Sequence, residues 1–226
     1  MSADPSGVSS ARVSVVIPAF NEGATVGASV SAAVGHPLVD EVIVVDDGSS
    51  DGSAAAAARA GARVIRLAGN SGKATALDAG VSAARNDTLL FLDADVTGHT
   101  QATLTRIIQP VLDGRVEMFV GVHARRTLWL NRLLHVFPII GGDRALTRRL
   151  WDAVPAGHKR GFEIEIAMNH TAKRFPRRMG HALIRGLTHQ PKERKYGLLV
   201  GLWRRLVMLR DIVRVTFRLY ILGASS

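Results

Sequence analysis

Two carboxylates stand at i and i+2 in Asp93-Ala94-Asp95, directly behind the apolar run Thr88 to Leu92. Held where a strand ends, they can point into one cleft and bind a hard divalent cation such as Mg2+ or Mn2+, with phosphate oxygens filling other positions. Alone, such a turn reads equally well as an exposed acidic corner. A second set, Asp46-Asp47-Gly48-Ser49-Ser50-Asp51-Gly52, follows the run Glu41 to Val45. Its Asp, Gly and Ser suit a tight turn, and Ser50 or Asp51 can cap the next helix. Capping does not account for Asp46 and Asp47 at the strand end, where carboxylates can accept from a base N–H or from ribose hydroxyls. A third set, Gly69-Asn70-Ser71-Gly72-Lys73, invites a phosphate-binding reading. The Walker pattern G-x-x-x-x-G-K-[ST] fails, because position 67 is Leu and Lys73 is followed by Ala74. A Gly-rich turn ahead of a helix still presents amide N–H groups and a lysine to a diphosphate. The loop suits a nucleotide, but not a P-loop ATPase.

These residues need a scaffold that gathers them. The runs Val13 to Ile17, Glu41 to Val45, Arg63 to Leu67 and Thr88 to Leu92 are short, apolar and bounded by turn residues. They read as strands buried on both faces of a parallel sheet. Ala-rich segments at 22–34, 52–61 and 72–84 lie between them and read as crossover helices. Repeated β-α units predict a doubly wound α/β sheet, in which ligands bind beyond the carboxyl ends of the strands. All four strand ends carry the site-like residues. Later the pattern loosens: a helix at 100–113, a strand at 116–122, a turn at Gly141-Gly142, a helix at 162–174, a strand at 181–187 and a long helical pattern at 196–222.

The strings V-S-V-V-I-P-A-F-N-E (13–22), V-V-D-D-G-S-S-D-G (44–52), N-S-G-K-A-T-A-L-D-A-G (70–80) and L-D-A-D-V (92–96), in that order and spacing, resemble a family-2-type glycosyltransferase of the GT-A fold. Within that family the similarity is to polyprenyl-phosphate sugar transferases and glucosyl-3-phosphoglycerate synthases. The resemblance implies a Rossmann-like, mostly parallel central sheet with flanking helices, and a hexosyltransferase that uses a UDP- or GDP-linked sugar with Mg2+ or Mn2+. Pro18, Ala19, Phe20 and Glu22 would then line the base and ribose. Asp46 or Asp47 would hold base or ribose, Lys73 would reach the nucleotide, and Asp93 with Ala94 would approach the ribose. Asp95 would be the metal ligand, with His189 as a further ligand found in some relatives. Gly142, Asp143 and Arg144 resemble the acceptor-side loop, and Glu165 (or Glu163) the acidic residue beside the sugar. Asp95, Glu165 and Arg144 are the expected catalytic group.

No clear Glu-Asp pair supplies a general base. A phosphate acceptor needs none, since its oxygen is already anionic, whereas a hydroxyl acceptor needs a carboxylate, a His or help from the leaving phosphate. The expected acceptor is therefore phosphorylated, first a polyprenyl phosphate at a membrane surface, with a small soluble phosphate such as 3-phosphoglycerate as the alternative.

Charge divides the chain. Residues 1–113 hold 7 Lys and Arg against 12 Asp and Glu, while residues 114–226 hold 22 against 7. A nucleic-acid-binding domain is not expected to be built this way; its base contacts need a stacking array, and aromatics are 5% of the chain. The absence of cysteine excludes disulfides, thiolate metal sites and a thiol nucleophile. The expected organisation is a disordered tail at 1–12, a transferase domain at 13–195 (donor half 13–100, acceptor half 101–195) and an amphipathic C-terminal helix at 196–226. In that helix Arg204, Arg210, Asp211, Arg214 and Arg218 share one arc, and the rest is largely apolar. It suits a core or homodimer element, or an anionic membrane interface shared with residues 123–137. No segment reads as a signal peptide or membrane span, so the expected location is cytoplasmic, peripheral on the inner face of the plasma membrane.

Overall fold

A computed structural model of the chain describes residues 12–123, 143–161 and 163–189, without the side chains of His123 and His189. Strands β1 (Val13–Ala19), β2 (Val39–Asp46), β3 (Arg63–Arg66) and β4 (Thr88–Phe91) alternate with helices α1 (Val26–Ala33), α2 (Ser53–Arg59) and α3 (Lys73–Ala83). The two-residue strand β5 (Val96–Thr97) leads to α4 (Gln101–Leu112), and β6 (Met118–His123) follows. Beyond come β7 (Arg144–Thr147), α5 (Arg148–Ala153), a short 3-10 turn, α6 (Glu163–Ala172), β8 (Met179–Ile184) and β9 (Thr188–His189).

Seven strands form one sheet in the order β3-β2-β1-β4-β7-β6-β8, and β5 pairs with β9 in a separate ribbon. Every pairing in the large sheet is parallel except those of β7, which runs against both β4 and β6. This is the mostly parallel GT-A sheet expected. The apolar runs alternate between two cores, as a period of two requires. Val16, Ile43, Val45, Leu89 and Phe91 face α3, α5 and α6. Val15, Ile17, Val44, Leu90 and Leu92 face α1, α2 and α4. On the first face the Phe91 and Trp151 rings meet edge to face with centroids 5.2 Å apart. Gly80 lets α3 lie against the sheet, since a Cβ there would overlap Val16.

Several elements depart from the sequence reading: α1 starts at Val26 rather than at 22, and the strand expected at 181–187 is β8, Met179–Ile184, with β9 after it. β2 begins at Val39, two residues early, because Val13 pairs with it. The residues read as an acceptor-side loop, Arg144 onward, form β7 and then α5. Only pairing with β4 on one side and β6 on the other makes R-A-L-T a strand, and no local pattern signals it. The expected C-terminal helix at 196–226, the basic segment 124–137 and Gly142 lie outside the described residues.

Glu117, buried between β6 and α5, fixes this added layer. Its carboxylate accepts from Thr147 Oγ1 at 2.8 Å and from Arg149 Nε at 2.8 Å, and it also meets Arg149 Nη2. Burial alone would raise its pKa, but the hydrogen bonds from Arg149 and Thr147 outweigh it and hold it below the ordinary 4.5. A depressed carboxylate stabilises the fold above its unfolded pKa and loses that contribution as pH falls through the folded value. Glu117→Gln should therefore lower the melting temperature at pH 7, and the gap to wild type should narrow as pH falls below the ordinary 4.5. A gap that stays constant from pH 7 to pH 3 would show that the charge contributes nothing.

Candidate active site

The carboxyl ends of β1, β2 and β4 converge on one edge of the sheet. The loop after β1 turns at Asn21, whose φ of 53° is left-handed. That conformation is held from the next loop: Asn21 N–H donates to Ser49 Oγ at 2.9 Å, and Ser50 N–H to Asn21 Oδ1 at 2.9 Å. Glu22 N–H donates to Ser53 Oγ at 2.7 Å and Gly23 N–H to Asp51 Oδ2 at 3.1 Å. The Ser and Asp residues of the second motif thus clamp the first. Pro18, Phe20 and Glu22 remain partly accessible along this edge, and Ala19 is buried.

The paired aspartates separate in role. Asp47 accepts from the Ser71 and Gly72 amides at 2.7 and 2.8 Å, one with each carboxylate oxygen, and so shapes the Gly-rich turn that starts α3. Gly48, at φ 74°, lies where a Cβ would come within 2.7 Å of the Gly69 backbone. Asp46 is fully buried; its Oδ1 accepts from Ser49 N–H at 3.0 Å. Its Oδ2 lies 3.1 Å from Arg66 Nε but has no hydrogen-bond partner among the described residues.

Deeper in the cleft, charges alternate. Lys73 Nζ donates to Asp93 Oδ1 and to Glu165 Oε1, both at 2.8 Å. Arg144 Nη2 lies 3.6 Å from Glu165 Oε2, while its Nη1 reaches Asn169 Oδ1 at 3.4 Å and Met118 Sδ at 3.9 Å. Burial alone would lower the Lys73 pKa, but the carboxylates of Asp93 and Glu165 outweigh it and hold it well above the ordinary value. A raised lysine pKa keeps the ammonium charged throughout the neutral range. Burial lowers the Arg144 pKa, and Glu165, Asp93 and Asp143 draw it part of the way back. Pro18, Leu77 and Phe91 wall this cleft with the charged residues.

Asp95 is half-buried on the turn between β4 and β5, and Ala94 is buried beside it. The β5–β9 ribbon pairs Val96 with His189, so the backbones carrying Asp95 and His189 run side by side. The Asp95 carboxylate suits Mn2+ or Mg2+, whose other positions waters and phosphate oxygens can fill. Asp93 stands apart from that set, because Lys73 holds its carboxylate. Asp143 lies fully buried beneath the turn, and its neighbour Arg144 is also buried, its guanidinium against Glu165 and Asn169. Glu163, the alternative to Glu165, lies 3.9 Å from His158 Nδ1. Asn169 and His99, which also sit here, were not singled out by sequence reasoning. His99 had only its place four residues after Asp95 to signal it.

A model of glycosyl transferase family 2 matches residues 14–167. A glucosyl-3-phosphoglycerate synthase of Mycolicibacterium paratuberculosis is 34% identical over 143 residues, covering 59% of this chain and 41% of that protein. A dodecaprenyl-phosphate galacturonate synthase of Rhizobium johnstonii is 34% identical over 99 residues, covering 39% of this chain and 29% of that protein. The chain thus aligns with less than half the length of these two curated relatives. In fold it is similar to the crystal structure of glucosyl-3-phosphoglycerate synthase from Mycobacterium tuberculosis in complex with Mn2+, UDP-glucose and glycerol 3-phosphate. That likeness has a TM-score of 0.75 and 24% identity, and covers 91% of this chain and 79% of the other. The motifs at the strand ends and the match across them agree: this chain belongs to glycosyl transferase family 2.

Proposed function

We propose that the chain transfers glucose from UDP-glucose to a small phosphorylated acceptor of the phosphoglycerate type. The observation that carries the transferase reading is the alternating group Asp93, Lys73, Glu165 and Arg144 at the strand ends, beside a turn suited to a divalent cation. The relatives support this choice of acceptor. The synthase match spans 143 residues, whereas the dodecaprenyl-phosphate match spans 99. The lipid acceptor expected from sequence becomes the second reading, and the latter relative is its support.

In this reading Pro18, Ala19, Phe20 and Glu22 line the nucleoside, and Asp46 Oδ2 takes the base imide N–H. Asp93 approaches the ribose, and Lys73 lies beside it toward the nucleotide. Asp95 with His189 would hold Mg2+ or Mn2+, which supplies Lewis-acid stabilisation of the departing diphosphate. Glu165 places a negative charge where the anomeric carbon becomes cationic, and Lys73 and Arg144 keep that carboxylate fixed. Both of its oxygens face cations, so Glu165 is placed to stabilise charge rather than to take a proton. The acceptor hydroxyl of a phosphoglycerate then bonds to the anomeric carbon as the bond to phosphate breaks, and its proton passes to the departing phosphate oxygen. Arg144 is also the expected contact for the acceptor's anionic group.

A thermal-shift panel of UDP, GDP and their glucose conjugates with Mn2+ or Mg2+ tests the donor. At a hundredfold excess over Kd, a native-state ligand stabilises by about 2.7 kcal/mol, roughly 5 to 10 °C for a chain of this size. UDP and UDP-glucose with Mn2+ should give that shift and GDP should not. No metal-dependent shift with any nucleotide would overturn the reading.

A further inference from the structure

A buried histidine–aspartate pair lies below the site, away from the reacting groups. His99 and Asp143 have side chains only 1% and 0% exposed, and His99 Nε2 lies 2.9 Å from Asp143 Oδ2. A carboxylate only accepts, so Nε2 carries the proton. The other ring nitrogen, Nδ1, is buried with no hydrogen-bond partner among the described residues. Among the described residues the ring is therefore held through one directed contact, that to Asp143. Asp143 Oδ1 in turn accepts from the backbone N–H of Asp93 at 3.2 Å.

The chain positions of these partners matter. Asp93 opens the turn that carries Asp95, and His99 follows β5 and precedes α4. One carboxylate therefore grips both ends of segment 93–99, with Asp95 and the strand that pairs with His189 between its two contacts. Asp143 is itself fixed at the start of β7, where its carbonyl accepts from Gly121 N–H at 2.9 Å. Ser29 Oγ donates to the Val96 carbonyl at 2.8 Å, a separate tie to the same segment that does not depend on the pair.

We infer that His99 and Asp143 are positioning residues that fix the Asp93–His99 segment from below, so that Asp95 stands at the register needed to hold the divalent cation with the nucleotide. This rests on the transferase reading for the cation, but the fixing of the segment does not. Partners that orient a ligand from outside its coordination sphere change metal affinity by about 10- to 100-fold. A buried N–H to carboxylate contact is directional enough to do so, whereas apolar packing of the same ring would not be.

The test compares wild type, His99→Phe and His99→Gln in the full chain. Phe keeps the ring volume and removes the donor; Gln places an amide N–H near the position of Nε2. Amide hydrogen exchange without ligand is read for the peptide spanning 93–99. The Mn2+ concentration giving half-maximal UDP binding is read separately. Phe should speed exchange in that peptide and raise the Mn2+ midpoint about tenfold or more. Gln should restore both to within about threefold of wild type, and melting temperatures should not track the midpoints. Unchanged exchange in His99→Phe, equal losses in Phe and Gln, or faster exchange with an unmoved midpoint would each overturn the inference. A wild-type chain that takes up no Mn2+ with UDP would overturn the transferase reading and the metal part of this one, and the exchange data would then decide whether the pair holds the segment.

Discussion

Replacing Asp95 with alanine should abolish sugar transfer while leaving the fold intact. A metal that neutralises a leaving diphosphate contributes several kcal/mol to the transition state, and about 4 kcal/mol corresponds to roughly 1,000-fold in rate. The loss in kcat/KM should therefore be on the order of 1,000-fold or more. The turn itself should survive, because the Asp93 N–H to Asp143 contact and the Ser29 tie to Val96 also hold it and both remain in the variant. Melting temperature and the far-ultraviolet spectrum should match wild type, and the Mn2+-dependent shift with UDP should vanish. Full activity in Asp95→Ala would remove the metal from the account.

Lys73→Met should have the next largest effect, and on two quantities at once. The ammonium sits between Asp93 and Glu165, whose side chains are 20% and 6% exposed. Removing it leaves two carboxylates facing each other, with Arg144 still 3.6 Å from Glu165. Breaking a buried ion pair from one side costs about 3–5 kcal/mol. A quarter of the lysine side chain is accessible (26%), which places the expected loss nearer 2–3 kcal/mol. That is roughly 5–10 °C in melting temperature. Turnover should fall as well, because Lys73 both reaches toward the nucleotide and fixes Glu165. Adding Glu165→Gln to Lys73→Met should recover part of the stability and none of the turnover. A single variant that melts with wild type would show that the alternating charges are not coupled.

Much of this was legible in the sequence because it is local. Strands β1, β2 and β4 carry continuous apolar runs stopped by turn residues, whereas β3 (R-V-I-R) is a half-exposed edge strand and not buried on both faces as expected; the strand ends carry the polar sets whatever the distant chain does. The purposes of those polar residues were less legible. In Asp46 to Gly52 the sequence suggested carboxylates meeting a nucleoside. The folded chain uses Asp47 for the Gly-rich turn and Ser49, Asp51 and Ser53 to clamp the loop after β1. Such contacts join residues 24 to 31 apart, and no spacing rule encodes them. The same holds for Arg144, which looked like a loop residue until β4 and β6 flanked it. Asp143 and His99 are an extreme case, since a buried pair 44 residues apart has no periodicity at all.

The division of charge along the chain now has a partial structural counterpart. The acidic first half supplies Asp46, Asp47, Asp93 and Asp95 at the strand ends, and the basic second half supplies Arg144 to the same cleft. Among the described residues no helix is long and apolar enough to cross a membrane. The acceptor therefore becomes the deciding substrate, because a soluble phosphate and a lipid phosphate demand different surroundings for the same donor chemistry.

The most direct measurement incubates the full chain with Mn2+ and UDP-glucose labelled in the sugar, alongside either 3-phosphoglycerate or a polyprenyl phosphate in detergent, followed by solvent extraction. The account predicts label transferred to an anionic, water-soluble product that requires 3-phosphoglycerate and Mn2+ and is absent with Asp95→Ala. Label found only in the organic phase with the polyprenyl phosphate, or no transfer from UDP-glucose to either acceptor, would contradict it.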